Sequence, residues 1–152
     1  MNIRAAKPVD VKILHNLGEN VSEFATGNTT VTFWPESILK VAVHDDAVIM
    51  LVAEVDGGID GFIIASCNKA LSKVLIENIY VRPIKRGQGI GIKLVKSVVA
   101  EIKKRGYEYV AVLTPPDDIP AIKTYQKAGF VSGETFLWLD YSESERFQKE
   151  GN

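Results

Sequence analysis

The sequence predicts an α+β domain in which helices cover both faces of a β-sheet. Short apolar runs alternate with amphipathic stretches, no repeat or Pro/Gly-rich linker divides the chain, and 46% of the residues are apolar. A length of 152 residues suits one compact domain with a core of its own. We therefore expect residues 1–152 to form a single domain, with a polar tail over 142–152 that is loosely held.

The N-terminal part of the chain predicts a strand, two helices and a return to the sheet. A strand is expected over 2–6, a helix from about Val9, and a second helix that Pro35 opens. The apolar stretch over 47–55 predicts a buried strand. The glycine-containing stretch over 56–61 predicts the turn of a hairpin.

The C-terminal part predicts three more strands and two helices. Strands are expected over 61–66, 73–81 and 107–114. The longest helix is expected over 89–105, because its apolar side chains recur at helical spacing. A shorter helix is expected over 119–128, where Gly129 ends it.

Composition excludes several classes of protein. The formal net charge is −1, and nothing in the totals favours binding to nucleic acid or membrane. The longest apolar run, residues 47–53, is far shorter than the ~20 residues that cross a bilayer. Cys67 is the one cysteine, so no intrachain disulfide or cysteine-based metal cluster can form, and the cytoplasm is the expected compartment.

The charges are unevenly distributed. Residues 1–60 hold four Lys/Arg and nine Asp/Glu, a balance of −5, whereas residues 61–152 hold fourteen and ten, a balance of +4. Eight of the basic residues lie within 82–105. They predict either a solvated helix face or a site for a polyanion.

Three glycines stand where the longest helix is expected to begin, at positions 87, 89 and 91. Exposed backbone N–H groups and the positive end of the helix dipole would form a site for phosphate oxygens there. The pattern differs from a P-loop, because Ile92 and Lys93 follow Gly91. It also differs from the dinucleotide fingerprint, whose third glycine is replaced by Ile92. The alternative is a loop that is merely tight.

Two motifs resemble those of the GNAT superfamily of acetyl-CoA-dependent N-acetyltransferases. Arg86–Gly91 fits [Gln/Arg]-x-x-Gly-x-[Gly/Ala], and Ala121–Phe130 fits Ala-x-x-x-Tyr-x-x-x-Gly-Phe. The resemblance covers roughly residues 1–141, with little support over 22–46. It implies a mixed, mostly antiparallel, twisted sheet of about six or seven strands flanked by about four helices. It also implies transfer of an acetyl group from acetyl-CoA to an amine, without a metal.

The resemblance implies a set of residues that contact coenzyme A. Asp118 stands where the family commonly has asparagine, and its alternative role is to cap a helix. The final hairpin of the family would be short or irregular here, which leaves room for strand exchange in a homodimer. The implied coenzyme contacts are Ile79, Tyr80, Val81, Arg86, Gly87, Gln88, Gly89, Ile90, Gly91, Asp118 and Tyr125.

The resemblance also implies two catalytic residues. Glu77 would be the general base, and its apolar strand predicts burial that would raise its pKa; alternatively, it solubilises the sheet. Tyr125 would give a proton or a hydrogen bond to the departing thiolate; alternatively, it is a core tyrosine. Val81 would offer its backbone N–H to the carbonyl oxygen.

The acceptor is not identified by the sequence. The acidic N-terminal segment favours a cationic amine, and Phe24, Phe33 and Trp34 are candidates for specificity. A protein N-terminal or lysine acetyltransferase remains an alternative. So does a domain of another class, which binds acetyl-CoA without turnover as a sensor or assembly module.

Overall fold

The computed structural model describes residues 1–25 and 31–141, which form a sheet with helices on both faces. Among these residues, no helix is long and apolar enough to cross a membrane. The helices are α1 (Val11–Gly18), α2 (Glu36–Ala42), α3 (Ile90–Lys104) and α4 (Ile119–Lys127). The strands are β1 (Asn2–Ala5), β2 (Val48–Val55), β3 (Gly58–Asn68), β4 (Lys73–Val81) and β5 (Tyr109–Val112).

The five strands form one mixed sheet in the order β1-β2-β3-β4-β5. Neighbours are antiparallel from β1 to β4, whereas β4 and β5 are parallel. That parallel pairing joins only residues 73–76 to residues 109–112. Residues 77–81 of β4, called the open edge below, continue past the end of β5.

A β-bulge marks the start of the open edge. Ile64 of β3 pairs with Asn78, but Ala65 pairs with Ile76, so Glu77 is an extra residue in β4. A bulge of this kind bends a strand and shifts the alternation of its side chains. Below the bulge Val74 and Ile76 belong to the core under α3, and above it Ile79 and Val81 pack against that core.

The two faces of the sheet carry separate cores. Under α3 and α4, the core includes Ile63, Leu94 and Ile102; under α1 and α2, it includes Leu14 and Phe62. A Cβ at Gly61 would lie 2.7 Å from the Tyr80 carbonyl oxygen and 3.3 Å from Leu94 Cδ1. Glycine at this position therefore allows α3 to pack closely on the sheet.

The structure agrees with the sequence on the order of the elements and differs in their extent. The hairpin turn is shorter than 56–61, because Asp56 and Gly57 take positive φ (52° and 81°) and β3 begins at Gly58. β5 covers 109–112 rather than 107–114. The described residues form five strands rather than six or seven, and 130–141 contains none. The tail over 142–152 lies outside the described residues.

Candidate functional site

The glycine loop holds an uninterrupted set of free backbone donors. Within the part of the chain that the structure describes, the N–H groups of residues 87–92 have no hydrogen-bond partner. Gly87 and Gly89 take φ of 78° and 80°, which side chains rarely adopt, and a Cβ at either would meet nothing within 4 Å. The loop is therefore open above the start of the 15-residue helix α3. This geometry suits the phosphate site that the sequence predicts.

The open edge of β4 directs selected backbone groups away from the sheet. Arg82 N–H donates to Asp60 O at 2.8 Å, so even-numbered residues here face β3. By alternation, Ile79 and Val81 turn their N–H and C=O groups to the side where β5 has ended. Arg86 Nε donates to Val81 O at 3.0 Å from that side.

Tyr80 differs from the sequence expectation. It pairs with Phe62 of β3, and its ring stacks on Phe62 at 5.7 Å between centroids. Its backbone faces β3 and its side chain lies on the α1 and α2 side. The contact to the coenzyme arm expected from residues 79–81 can therefore come from the backbones of Ile79 and Val81 but not from Tyr80.

α4 approaches the glycine loop closely. A Cβ at Gly91 would lie 3.3 Å from Thr124 Cγ2 and 3.8 Å from Val81 Cγ2. The first turn of α3 is thus in contact with both β4 and α4. The structure brings together the two sequence motifs that lie about thirty residues apart.

Tyr125 sits in the core between these elements and is 5% exposed. It belongs to the same cluster as Ile90, with Ile79 and Val81 packed against that cluster. Its hydroxyl makes no hydrogen bond to the described residues, yet it is not among the side-chain polar atoms that are sealed from solvent. Burial, with a smaller contribution from Asp118, raises the pKa of Tyr125 well above its usual value. The phenol is therefore protonated at neutral pH.

Asp118 is the N-cap of α4. Its Oδ1 accepts a hydrogen bond from Ala121 N–H at 3.1 Å, and Pro120 follows in the first turn. The capping role predicted as one alternative is confirmed. Contact of Asp118 with a coenzyme stays a prediction.

Glu77 is exposed, contrary to the expectation of burial in an apolar strand. The physical reason is the bulge, which makes Glu77 the extra residue and removes it from the regular inward alternation. It lines a cavity of about 260 Å³ together with Phe24, Val31, Thr32, Phe33, Trp34 and Asn78. The carboxylate is therefore placed at a cavity rather than inside the core.

Aromatic side chains form the wall of this cavity. Phe33 stacks on Phe24 with centroids 5.4 Å apart, and Trp34 Nε1 donates to Asn78 Oδ1 at 3.0 Å. The three aromatic residues named as specificity candidates thus lie beside Glu77. The sequence analysis missed Asn78, whose polar side chain next to an acidic residue in an apolar strand was the available signal.

An ion-pair cluster fixes the loop between β4 and α3. Asp60, whose side chain is 14% exposed, lies 3.1 Å from Arg82 Nε and 3.7 Å from Lys85 Nζ. Asp60 is also the extra residue of a second bulge, where Ala53 pairs with Gly61 and Glu54 with Ile59. The sequence placed Arg82 and Lys85 in a basic segment and did not predict their ion pairs with Asp60.

Ion pairs from outside residues 1–60 offset part of the charge asymmetry. The pairs of Arg4 with Asp10 and Glu54, and of Lys40 with Glu36, lie within the segment and leave its balance of −5 unchanged. Arg82 and Lys85 come from outside the segment and pair with Asp60. Glu77 is the one charged residue among those that line the cavity in the described part of the chain.

Cys67 and His15 each contact a neighbouring side chain outside the cavity. Burial raises the pKa of the Cys67 thiol, whose side chain contacts Tyr107. His15 Nε2 lies 3.4 Å from Glu19 on the same helix. Among residues 1–25 and 31–141, no group of three His, Cys, Asp or Glu side chains could hold a metal ion.

A glycine loop at the start of α3 thus lies beside a strand whose edge is open. The family model for the acetyltransferase (GNAT) domain matches residues 46–132. The chain belongs to this family.

Two curated relatives match part of the chain. An uncharacterized N-acetyltransferase of Methanocaldococcus jannaschii is 30% identical over 112 residues, which are 70% of this chain and 50% of the relative. An uncharacterized N-acetyltransferase of Schizosaccharomyces pombe is 33% identical over 61 residues, 40% of this chain and 37% of the relative. The chain thus spans half or less of the length of the curated relatives it matches.

Solved structures show the same fold at low identity. Aminoglycoside N-acetyltransferase AAC(6')-Iy, solved in complex with CoA, gives a TM-score of 0.74 at 20% identity, covering 93% of this chain and 99% of that one. The ribosomal-protein-S18-alanine N-acetyltransferase from Escherichia coli gives 0.69 at 20% identity, covering 88% and 79%. At this identity, the likeness concerns the fold.

Proposed function

We propose that the protein is an N-acetyltransferase that moves an acetyl group from acetyl-CoA to a primary amine by direct attack on the thioester. The observation that carries the proposal is the contact between the donor-rich glycine loop and the open edge of β4. The glycine loop could bind the phosphate end of a ligand, and the open edge could hydrogen-bond an amide-containing arm of the same ligand. Tyr125 lies beside this junction, and Glu77 begins the open edge.

The residues present fit coenzyme A. Free N–H groups of residues 87–92 at the start of α3 would hold the pyrophosphate, and the space above Gly87 and Gly89 is open for it. The outward backbone groups of Ile79 would hydrogen-bond the pantetheine arm as an added strand would, whereas the Val81 C=O already accepts from Arg86 Nε. Arg86 stands at the same edge as a cation for phosphate.

When bound, acetyl-CoA supplies an activated carbonyl carbon and a thiolate leaving group. Val81 N–H would donate to the carbonyl oxygen as negative charge develops there. The Tyr125 hydroxyl would donate a hydrogen bond to the sulfur. Because a thiol has a pKa of about 8.5 and the Tyr125 pKa is raised above about 10, complete proton transfer from Tyr125 is uphill. Tyr125 therefore acts by hydrogen bonding.

Glu77 would accept the proton of the attacking amine. A lysine-like amine with a pKa near 10.4 is neutral in only about one molecule in several thousand at pH 7, so a base matters. The exposed carboxylate at the cavity can take this proton directly or through one water.

The cavity supports a small amine with one positive charge next to an apolar or flat body. Its volume of about 260 Å³ is below the ~300–1,000 Å³ typical of sites for drug-sized ligands. Aromatic rings can contact an apolar shank, and Glu77 can attract the ammonium group. A polycationic aminoglycoside would need more carboxylates than the one that lines the described cavity.

Thiol release tests the proposal. The full chain is incubated with acetyl-CoA and a panel containing aryl and alkyl amines, lysine-like compounds, polyamines, an aminoglycoside, acidic amines and peptides. We expect monoamines with an apolar body to react fastest and acidic amines slowest. Added salt should narrow the difference, because exposed charges are screened over roughly 8–10 Å.

Each other outcome has a distinct meaning. Preference for peptides with free N-termini or for lysine peptides would indicate a protein acetyltransferase. Tight binding of acetyl-CoA in calorimetry without thiol release would indicate a sensor or assembly domain. Absence of acetyl-CoA binding would contradict the proposal.

A further inference from the structure

The bulge in β4 places two consecutive side chains on one face of the sheet. Ile76 and Ile79 pack with the core under α3, whereas Tyr80 packs with the core under α1 and α2. Side chains alternate along a regular strand, so Glu77, which follows Ile76, faces the α1 and α2 side. Asn78, two residues before Tyr80, faces the same side, because the bulge interrupts the alternation between the two. Both residues accordingly line the cavity.

Trp34 determines which way the Asn78 carboxamide points. Trp34 Nε1 donates to Asn78 Oδ1 at 3.0 Å. An indole N–H can donate but cannot accept, so only the amide oxygen can face it, and the NH2 group is turned away. This NH2 group makes no hydrogen bond to the described residues, and its nitrogen is not among the polar atoms that are sealed from solvent. Two N–H donors are therefore available to a ligand at the cavity.

We propose that Asn78 selects acceptors that carry a neutral oxygen, a hydroxyl or a carbonyl, on the carbon next to the one that bears the amine. The inference rests on the proposed function, in which Glu77 receives the amine at the same cavity. The Asn78 NH2 group donates to the neutral oxygen while the Glu77 carboxylate attracts the ammonium group. A carboxylate in place of the neutral oxygen would be repelled by Glu77.

The short separation of the two side chains suits this class of amine. Consecutive Cα atoms lie about 3.8 Å apart, and Glu77 and Asn78 share a face, so their polar ends are near neighbours. In an amino alcohol or an amino amide, the nitrogen and the oxygen likewise stand on adjacent carbons. A simple alkylamine offers Glu77 the same ammonium group and leaves the Asn78 donors to water.

Replacing Asn78 with aspartate tests the selection. Asn78→Asp keeps an oxygen for the Trp34 N–H and exchanges the free NH2 group for a second carboxylate oxygen. Thiol release gives kcat/KM for phenylalaninol, for phenylalaninamide, for the alkylamine that lacks their oxygen, and for the diamine in which a second amine replaces it. Relative to the alkylamine, we expect the two oxygen-bearing amines to lose about tenfold in the variant. The diamine should gain about fivefold, because its second ammonium group then meets a carboxylate.

Asn68→Asp is the matched control. Asn68 Oδ1 also accepts an N–H, that of Leu71 at 3.1 Å, and Asn68 is the last residue of β3, outside the cavity. Its ratios between amines should equal those of the wild type. Each amine is compared with itself in two proteins, so differences among the pKa values of the amines cancel. Wild-type ratios in Asn78→Asp would overturn the proposal while leaving the transferase reaction in place.

The side-chain NH2 resonances of Asn78 give a test that does not depend on acetyl transfer. They are observed in the isotope-labelled full chain with CoA, which carries no acetyl group, and are assigned by their loss in Asn78→Asp. Phenylalaninol and phenylalaninamide should shift them, and the alkylamine should shift them less. If no amine is acetylated, the proposed function fails, and these shifts still decide whether Asn78 binds the oxygen. Equal shifts with all the amines, or none with any, would overturn the proposal.

Discussion

Tyr125 is 5% exposed, and its hydroxyl has no hydrogen-bond partner among the described residues and is not sealed from solvent. A ligand in the proposed site can therefore reach the hydroxyl, as water can. A variant that keeps the ring and removes the hydroxyl separates a role in the reaction from a role in packing.

Replacing Tyr125 with phenylalanine is expected to lower kcat by ~10²-fold or more and to leave the KM for acetyl-CoA nearly unchanged, because the lost hydrogen bond acts in the transition state. Steady-state kinetics measure both constants. Tyr107→Phe, on a half-buried tyrosine next to Cys67, is the control and should retain activity. Wild-type kcat in Tyr125→Phe would assign the residue to packing alone.

Removing the Glu77 carboxylate is expected to make activity more dependent on pH. Glu77→Gln should lower kcat/KM by ~10²-fold at pH 7. The deficit should shrink as pH rises, because more of the amine is then already neutral. Rates of Glu77→Gln and of Glu108→Gln, an exposed control, are compared from neutral to alkaline pH. A constant ratio of variant to wild type would show that Glu77 is not the base.

Local patterns predict the glycines at the start of α3 and the Asp118 cap of α4, and the structure has both. The burial of Glu77 was inferred from its apolar neighbours in β4, and it is wrong because the bulge makes Glu77 the extra residue of the strand. The coenzyme contact of Tyr80 came from the resemblance to the family, and its backbone faces β3.

At the scale of elements, glycine is needed at the start of α3 for its positive φ and for the open space at the proposed phosphate site. Gly89 and Gly57 take nearly the same positive φ, 80° and 81°, and both have open space around the Cβ position. A side chain at either position costs backbone strain. Only Gly89 stands at the proposed phosphate site.

The pair therefore provides a matched test. Gly89→Asp should weaken acetyl-CoA binding by well over tenfold in isothermal titration, because the carboxylate opposes the pyrophosphate. Gly57→Asp should lose a similar amount of stability, roughly 1 kcal/mol, and bind normally. Equal affinity in the two variants would remove the glycine loop from the coenzyme site.

The order of the elements could be predicted because each has a strong local signal, such as the helical spacing in α3 and the glycines that end helices. Their extent depends on tertiary pairing. β5 is short because only four of its residues find a partner in β4. The segment 134–141 has the composition of a strand but forms neither a helix nor a strand, so no local pattern could decide its structure.

At the scale of the whole molecule, Arg4 connects three parts of the N-terminal half of the chain through two ion pairs. Its guanidinium lies 2.7 Å from Asp10 and 3.3 Å from Glu54, so it joins β1, the turn before α1, and β2. Asp10 is 4% exposed and also accepts the Lys7 N–H at 2.7 Å. The Arg4 guanidinium and this N–H hold the pKa of Asp10 below its usual value.

A lowered pKa in the folded state means that the stabilisation is present above the unfolded pKa, about 3.9, and is lost as pH falls through the folded value. Asp10→Asn is expected to lose about 2 kcal/mol at pH 7, and this difference from wild type should shrink below about pH 4. Urea unfolding at several pH values measures it. Glu36→Gln, which breaks an exposed helix pair, should lose much less. A difference independent of pH would show that the ion pair contributes nothing.

The extra residue in β4 reverses the alternation of the backbone groups that follow it. After Glu77 the amides of Asn78 and Tyr80 face β3, and those of Ile79 and Val81 face away from it. If Glu77 instead paired regularly with Ile64, the amides of Ile79 and Val81 would face β3. The proposed acyl-binding edge is therefore set by a count of residues, and it can persist while the side chains along the strand change.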